Sequence, residues 1–299
     1  MRILNFSSCN IDYVYSVDHI VVPGETTASS ALELFCGGKG LNQSVAFARS
    51  GAETYHAGCI GKDGGMLTDM LASAGVDTRF VQVREDTASG HAIIQVTRKG
   101  ENCILLHGGA NQSIETAFAD DVLSHFGTGD LLMLQNEINN LDYIVRKAKA
   151  RGMTIVLNPS PFNEKILSLD LSLLDAIIVN ETEGEQISGK SDAEQIVTEL
   201  LARYPAMKIV LTLGKRGAMY VDAQTRAFCE IMPMPVQDTT AAGDTFTGYF
   251  FSALMQGEAP GRALRIATAA SAIAVSRKGA APSIPTADEV RALLLERGW

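Results

Sequence analysis

The sequence of 299 residues predicts an α/β fold with a mostly parallel central sheet and a small, discontinuous second β-sheet. Two observations lead to this prediction. Short aliphatic runs alternate with longer stretches of helical period, a pattern typical of strands joined by crossover helices. Two other segments contain paired strand-like runs with no helix between them. Because no internal repeat or linker interrupts the pattern, residues 1–299 are expected to form a single domain.

The predicted strands of the central sheet are apolar runs, several without strict alternation, as expected for strands covered on both faces. These runs lie at residues 3–6, 131–134, 154–157, 176–179 and 208–213. Between them, apolar residues repeat at helical spacing over 141–148 and 193–201. Asp192 precedes the second of these helices and is a candidate N-cap.

The second sheet is predicted from two segments, approximately 13–36 and 88–109. The first contains Pro23 and Gly24 between apolar stretches, a turn signal between two strands. The second contains apolar runs on both sides of the sequence RKGE at residues 98–101. Four strands without helices of their own favour a small sheet that projects from the main domain as a lid beside a cleft. Ordinary edge strands are the alternative.

The composition excludes several functional classes. The chain is 46% apolar and 20% charged, which excludes disorder as its main state. A net charge of −9 without a basic block argues against nucleic acid or an anionic membrane as a partner. No apolar run approaches the length of a membrane span, and the N-terminus lacks the pattern of a signal peptide. Five scattered cysteines favour buried thiols in the reducing cytoplasm, where we expect this protein.

One familiar motif is present only formally. Residues 184–191 satisfy the P-loop expression G-x-x-x-x-G-K-[ST], which needs a strand that leads straight into a phosphate-binding loop. Here four residues follow the strand, and Glu183 and Glu185 would place carboxylates beside a nucleotide's anionic groups. We therefore expect a helix that ends at Gly189. The Rossmann fingerprint after the first strand, zinc-ligand spacings and G-x-S-x-G are absent.

The sequence DTTAAGDTFTG at residues 238–248 leads into an apolar helical stretch. A run of small residues that opens a helix leaves amides unpaired, and with the helix dipole they form an anion site. Asp244 would lie beside a bound phosphate, where a carboxylate is expected only if it accepts a proton. These features predict phosphoryl transfer to an alcohol with Asp244 as base. A simple capping role for Asp244 is the alternative.

The sequence GGKGLNQ at residues 37–43 provides a second candidate site after an apolar run. Its glycines allow positive φ and close approach of a ligand to the backbone. Asn42 offers both a donor and an acceptor, which suits sugar hydroxyls. A plain turn between a strand and a helix would also explain the run.

Together these two runs resemble those of the ribokinase family of carbohydrate kinases. The similarity extends in order along nearly the whole chain, through NID at 10–12, NP at 158–159, NETE at 180–183, TLGKRG at 212–217 and RKGAAPS at 277–283. The resemblance implies a three-layer α/β/α fold with a small β-sheet lid. It also implies an ATP-dependent sugar kinase and a homodimer formed through the lid.

The resemblance further implies roles for individual residues. Asp244 would be the base, with the anion hole formed by the amides of Ala241, Ala242 and Gly243. The sugar would be held by Asn10, Asp12, Gly38, Lys39, Asn42 and Glu137. The ATP site would be lined by Asn180, Thr212, Gly214 and Gly217, whereas the roles of Lys215 and Arg216 are left open.

Two cations are implied as well. Glu183 would orient Mg²⁺, through water, because Mg²⁺ retains much of its hydration. A monovalent cation, K⁺, would lie between two loops and bind oxygens, several of them backbone carbonyls, of Asp238, Thr240, Ala274, Arg277, Gly279 and Ser283.

The expected substrate is a free pentose, with D-ribose phosphorylated at its 5-hydroxyl as the first choice. Kinases of the same family that act on deoxyribose, a nucleoside, a hexose or a hexose phosphate are the alternatives within the class. Tyr13, Tyr15 and Phe35 keep the nucleoside alternative open, because a base would need aromatic residues in the lid. A sugar-binding sensor without catalysis is a different class, and it would have no need of Asp244.

Overall fold

The computed structural model describes all residues from 1 to 299 and contains thirteen strands and nine α-helices. The strands, numbered in chain order, are β1 Ile3–Phe6, β2 Asn10–Val17, β3 Ala31–Gly37, β4 Thr54–Gly61, β5 Asp77–Arg84, β6 Gly90–Thr97, β7 Asn102–His107, β8 Leu131–Gln135, β9 Thr154–Asn158, β10 Ala176–Asn180, β11 Lys208–Thr212, β12 Ala218–Val221 and β13 Arg226–Cys229. The helices are α1 Lys39–Arg49, α2 Gly65–Ser73, α3 Thr116–Ser124, α4 Leu141–Ala150, α5 Glu181–Ser188, α6 Ala193–Arg203, α7 Ala242–Met255, α8 Pro260–Val275 and α9 Ala287–Glu296.

The central sheet has nine strands in the order β13-β12-β11-β10-β9-β8-β1-β4-β5. All neighbouring strands are parallel except at one edge, where β12 and β13 form an antiparallel hairpin beside β11. The five strands predicted from apolar runs are β1, β8, β9, β10 and β11, each within one residue of its expected bounds. The remaining four strands carried weaker apolar signals, and the sequence did not predict them.

Both faces of this sheet are covered, which confirms the predicted three-layer α/β/α architecture. Successive residues of a strand point to opposite faces, so Ile3 joins the core beneath α1, α2, α7, α8 and α9. Leu4 joins the core on the other side, beneath α3, α4, α5 and α6. Strands buried on both sides lose the alternation of half-exposed strands, which explains their continuous apolar runs.

The second sheet is confirmed as a separate unit of four strands in the order β3-β2-β6-β7. The pairs β2–β3 and β6–β7 are antiparallel hairpins, and the parallel pair β2–β6 joins them. The first strand begins at Asn10, three residues before the predicted start of the lid segment, so the same strand carries both Asn10 and Asp12. This sheet is called the lid below.

Two local sequence signals are confirmed by the helix ends. The side chain of Asp192 accepts hydrogen bonds from the amides of Glu194 and Gln195 and so caps α6. Helix α5 begins directly after β10 and ends at Gly189, whose φ of 75° is that of a left-handed C-cap. Residues 184–188 of the formal P-loop are therefore helical, and no phosphate-binding loop separates strand from helix there.

No helix in the structure combines the length and the apolar character that crossing a membrane would require.

Candidate active site

A cavity of about 230 Å³ lies where the carboxyl ends of β9, β10 and β11 face the N-terminus of α7. Clefts at the carboxyl ends of parallel strands are the usual ligand sites of open α/β sheets. The expected site residues that line this cavity are Lys39, Asn180, Glu183, Thr212, Ala241, Ala242, Gly243 and Asp244. The structure therefore brings together expected residues from four separate parts of the sequence.

The N-terminus of α7 presents free amides to this cavity. Ala241 precedes the helix with a φ of 59°, an uncommon left-handed conformation for a residue with a Cβ. The amides of Gly243 and Asp244 have no hydrogen-bond acceptor in the chain, as expected for the first turn of a helix. The amide of Ala242, expected in the anion hole, instead donates to the Thr239 carbonyl at 3.3 Å. The amides without an acceptor at the start of α7 are therefore those of Ala241, Gly243 and Asp244.

The Asp244 carboxylate is buried at the edge of the cavity and is held at both oxygens. Gln43 Nε2 donates to Oδ1 at 2.9 Å, and Asn42 Nδ2 donates to Oδ2 at 3.0 Å. Asn42 was expected to bind sugar with both ends of its amide, but its nitrogen is already used. Its Oδ1 is buried without a partner, so an acceptor remains available for a hydroxyl.

The N-terminus of α1 lies on the other side of the cleft and is capped by a side chain from a distant part of the sequence. Glu137 Oε2 accepts from the Lys39 amide at 3.1 Å, and the Ser8 hydroxyl donates to the same oxygen. Gly38 precedes the helix with a φ of 90°, and a Cβ there would lie 3.1 Å from the backbone nitrogen of Asn10. Glycine is therefore required by the turn and by close packing against β2.

Two carboxyl groups in this part of the cleft have raised pKa values. Burial, together with a smaller effect of the nearby charge of Glu137, raises the pKa of Asp12 to about 7. Burial also raises the pKa of Glu137, while hydrogen bonds from Ser8 and Lys39 oppose that change. Asp12 and Glu137 are half-buried, so the region expected to hold the sugar is partly shielded from water. Asn10 is buried there and fixed by a 2.8 Å hydrogen bond from Asn111.

The residues expected at the nucleotide lie mainly along β10 and β11. Asn180 and Glu183 form a capping box at the start of α5, so the Asn180 side chain is already bonded. Thr212 ends β11 and lines the cavity. Gly214 and Gly217 lie in the following turn and do not line it. A Cβ at Gly217 would lie 2.0 Å from the Cys229 carbonyl oxygen, so close packing against β13 explains that glycine.

The six residues expected around a monovalent cation come from two adjoining loops that Asp238 links. Its Oδ1 accepts from the Thr240 amide at 2.9 Å, and its Oδ2 accepts from the Gly279 amide at 3.0 Å. Ala274 and Arg277 belong to the end of α8 and the turn after it, where the Arg277 guanidinium pairs with Glu289 at 2.5 Å. Ser283 is buried, and its hydroxyl donates to the Ala280 carbonyl at 2.7 Å. The structure contains no cluster of three or more His, Cys, Asp or Glu residues with the arrangement of a metal site.

Several residues of the site were not predicted as functional. Asn158, Ser160, Thr239 and Thr247 line the cavity, and Gln43 lies behind Asp244. Asn158 ends β9, so its position at the carboxyl end of a parallel strand is a signal that could have identified it. Gln43 directly follows Asn42, but its contact with Asp244 bridges 201 positions of sequence. No local sequence pattern predicts such a contact.

Comparisons with known proteins agree with this geometry. A model of the pfkB family of carbohydrate kinases matches residues 2–287. A ribokinase of Haemophilus influenzae is 36% identical over 291 residues, which cover 94% of each chain. The structure of a Cryptococcus neoformans ribokinase in complex with ADP superposes with a TM-score of 0.85 at 32% identity, covering 97% of this chain and 99% of that one. The structure of Arabidopsis thaliana ribokinase complexed with ribose and ATP gives a TM-score of 0.86 at 27% identity and covers 98% of each chain.

The fold and the cleft are those of a phosphotransferase that acts on sugars. The chain belongs to the pfkB family of carbohydrate kinases, which its full-length match and its ribokinase relatives establish.

Proposed function

We propose that this enzyme transfers the γ-phosphoryl group of ATP to the 5-hydroxyl of D-ribose. The observation that carries the proposal is the position of the Asp244 carboxylate beside the free amides of α7, at the edge of one cavity. A base and an anion site next to each other are what transfer of a phosphoryl group to an alcohol requires. Support for ribose and ATP as the pair of substrates comes from the similar Arabidopsis thaliana ribokinase, which was solved with both.

In this proposal the sugar lies between the lid and the N-terminus of α1. Asn10 and Asp12 on β2 bind its vicinal hydroxyls, and Asn42 accepts a hydrogen bond through its free Oδ1. Gly38 lets the sugar approach the backbone, and Lys39 and Glu137 complete the site. Hydrogen bonds in a region shielded from water discriminate strongly against ligands that leave these groups unpaired.

The reaction then follows from the geometry at α7. Asp244 accepts the proton of the 5-hydroxyl while the hydroxyl oxygen forms a bond to the γ-phosphorus. At the same time the bond between the γ-phosphorus and the bridging oxygen breaks, and ADP leaves with that oxygen. The amides of Gly243 and Asp244 hydrogen-bond the transferring group, assisted by the positive end of the helix dipole. Asn180 and Thr212 line the nucleotide side, and Gly214 and Gly217 shape the turn that follows.

Residues suited to Mg²⁺ are present near the nucleotide side. Glu183 is 6% exposed and lines the cavity, and one of its carboxylate oxygens caps α5 while the other remains available. We assign Glu183 to a magnesium ion bound through water, which would neutralise charge on the phosphates of ATP when present.

The loops around Asp238 suit a monovalent cation such as K⁺. Backbone carbonyls and one carboxylate supply hard oxygen ligands, and the two loops adjoin the N-terminus of α7. The carboxylate oxygens of Asp238 already accept amides, so the cation would bind mainly carbonyls of Thr240, Ala274, Arg277, Gly279 and Ser283. Replacing Na⁺ by K⁺ in the assay is expected to raise the rate, and equal rates would contradict the assignment.

A homodimer formed through the lid is also proposed. Apolar side chains exposed on its strands support this assembly, and they are Leu32, Leu34, Ile93, Ile104, Leu105 and Leu106. Exposed apolar residues concentrated on one small sheet are typical of an interaction surface. Sedimentation of the wild type and of Leu105→Lys would test it, because the charged variant should sediment as a monomer.

We further propose that the enzyme functions in the cytoplasm. All five cysteines are free thiols, and four of them are buried, as expected in a reducing compartment.

The substrate assignment is tested by coupled ADP release over a panel of sugars. D-ribose should give the highest kcat/KM, above 2-deoxyribose, a nucleoside, fructose and fructose 6-phosphate. Product analysis should find phosphate on the 5-oxygen of ribose. A higher kcat/KM for another acceptor would overturn the assignment to ribose, and no ADP release with any acceptor would overturn the kinase itself.

A further inference from the structure

A group of buried amide side chains lies behind the Asp244 carboxylate. Gln43 is 0% exposed, and its Nε2 donates to Asp244 Oδ1 at 2.9 Å. The transfer described above gives this residue no contact with either substrate. We propose that Gln43 is a positioning residue that holds Asp244 in the orientation needed to accept the hydroxyl proton. This inference rests on the proposed kinase activity.

The direction of the Gln43 amide is fixed from one side by a chain of hydrogen bonds that starts at a backbone carbonyl. The Gly40 carbonyl can only accept, so Asn5 Nδ2 faces it at 2.7 Å and Asn5 Oδ1 points the other way. Gln135 Nε2 donates to that oxygen at 3.0 Å and to Gln43 Oε1 at 2.7 Å. Because Oε1 of Gln43 is the acceptor in this chain, Nε2 must face Asp244.

A second chain reaches the same result independently. The Ile178 carbonyl accepts from Asn158 Nδ2 at 3.0 Å, which leaves Asn158 Oδ1 as an acceptor. Gln43 Nε2 donates to this oxygen at 3.2 Å. Two backbone carbonyls, on α1 and on β10, therefore fix one amide. Rotating the Gln43 amide by 180° would place its oxygen against the oxygens of Asp244 and Asn158, and its nitrogen against Gln135 Nε2.

This fixed donor restrains the carboxylate that accepts the proton. With Gln43 on Oδ1 and Asn42 on Oδ2, the plane of the Asp244 carboxylate cannot rotate without losing a hydrogen bond. A general base must lie within hydrogen-bond reach of the proton at a defined angle, and small misplacements of reacting groups have large effects on rate. The buried amides give this orientation without contacting substrate.

Gln43→Met is the variant that removes the donor with least disturbance. Methionine is of similar length and has no hydrogen-bond donor, and Gln135 Nε2 retains Asn5 Oδ1 as its acceptor. We expect kcat to fall about 10–100-fold, while KM for the sugar and for ATP changes less than about threefold. Gln135→Met is the matched control, because it removes a similarly buried amide that does not touch Asp244, while Asn158 Oδ1 still directs Gln43 Nε2 towards the base.

If Gln43 acts by positioning Asp244, the effect of Gln43→Met on the rate should depend on whether Asp244 is present, whereas a role in packing alone predicts no such dependence. In the Asp244→Asn background, which lacks the base, adding Gln43→Met should lower the residual rate less than about threefold. If Gln43 only stabilises the fold, the two changes should multiply, and Gln43→Met and Gln135→Met should lower the thermal midpoint and kcat in parallel. That result would overturn the proposal.

Gln43→Glu provides a measurement that does not depend on the size of a rate loss. The new carboxyl group would lie where Nε2 now contacts Asp244 Oδ1, and two carboxylates at that distance share a proton. The acidic limb of the kcat profile should then move upward by about one pH unit or more. A profile that keeps the wild-type midpoint would contradict a direct contact between residue 43 and the base.

The two hypotheses can fail separately. If wild-type protein releases no ADP with any sugar, the proposed kinase activity fails and the role of Gln43 fails with it. If wild-type protein is active and Gln43→Met retains at least half of its kcat, the kinase stands and the positioning role is wrong.

Discussion

Two helices begin at the same cleft after runs of small residues, but their N-termini meet different partners. The first amide of α1, that of Lys39, donates to the Glu137 carboxylate at 3.1 Å. The amides of Gly243 and Asp244 at the start of α7 have no acceptor in the chain. The α1 terminus thus binds a carboxylate of the protein itself, whereas the α7 terminus is available to an anion from solution.

This difference gives the cleft an electrical polarity. At α1 the carboxyl groups of Glu137 and Asp12 lie in a region partly shielded from water, which disfavours a phosphate and suits neutral hydroxyls. At α7 the helix dipole and unpaired amides favour negative charge. The two substrates are therefore expected to bind in one direction only, with hydroxyls near α1 and phosphates near α7.

The largest effect is expected from Asp244→Asn, which keeps the size of the side chain at the α7 terminus but removes the base. We expect kcat to fall about 10²–10⁴-fold, while the affinity for sugar changes little. Coupled ADP release gives kcat, and calorimetry of sugar binding gives the affinity. Turnover close to the wild type would exclude Asp244 as the base.

The next largest effect is expected from Gly243→Pro, because proline removes the amide hydrogen while the first turn of a helix tolerates it. Loss of one donor to a transferring group lowers kcat about 10²–10³-fold. Gly243→Ala is the matched control, since it keeps the amide and its Cβ would meet nothing within 4 Å. Thermal unfolding should show both variants folded, and equal kcat values for the two would contradict an anion site at α7.

The sequence predicted the start of α7 and gave a helix start after residues 37–43 only as an alternative, and it could not tell which amides are free. Small residues at 241–243 indicate exposed donors because local chemistry decides where a helix begins. Whether a donor is already bonded depends on a partner elsewhere, and Glu137 is 98 positions away from Lys39. The same holds for Ala242, whose assignment to the anion hole stays a prediction: its amide donates to the Thr239 carbonyl at 3.3 Å in this structure, which the local sequence does not indicate.

The fold was more predictable than the site. Buried parallel strands and the two lid hairpins each carry a local signal, so β1 and β8 were expected close to their bounds and the four lid strands within two segments. The short hairpin of β12 and β13 at the sheet edge carries a weaker signal. Contacts such as that of Gln43 with Asp244 form only when the sheet brings distant strand ends together.

A smaller effect is expected at the α1 terminus from Glu137→Gln. The glutamine carbonyl can still accept from the Lys39 amide. The sugar hydroxyls, however, lose a charged hydrogen-bond acceptor, so the dissociation constant for sugar should rise about 10–100-fold. Affinity for ADP should not change, because the phosphates bind at α7. Glu115→Gln, an exposed carboxylate paired with Arg84, is the control and should leave both affinities unchanged. A loss of ADP affinity in Glu137→Gln would contradict the polarity of the cleft.

The smallest effect is a change in stability with pH that arises from Asp12. Because burial raises its pKa from 3.8 to about 7, the folded state holds this proton more firmly than the unfolded state does. Stability contributed by the protonated group is present at about pH 4 and is lost as pH rises towards 7. Asp12→Asn cannot ionise, so its thermal midpoint should exceed that of the wild type by a few degrees at about pH 8, and the difference should disappear at about pH 4. Asp18→Asn, an exposed position after the same strand, should show no such difference. A gap between Asp12→Asn and the wild type that stays constant across this range would mean that Asp12 is ionised throughout, and the α1 side of the cleft would then be wetter than its packing indicates.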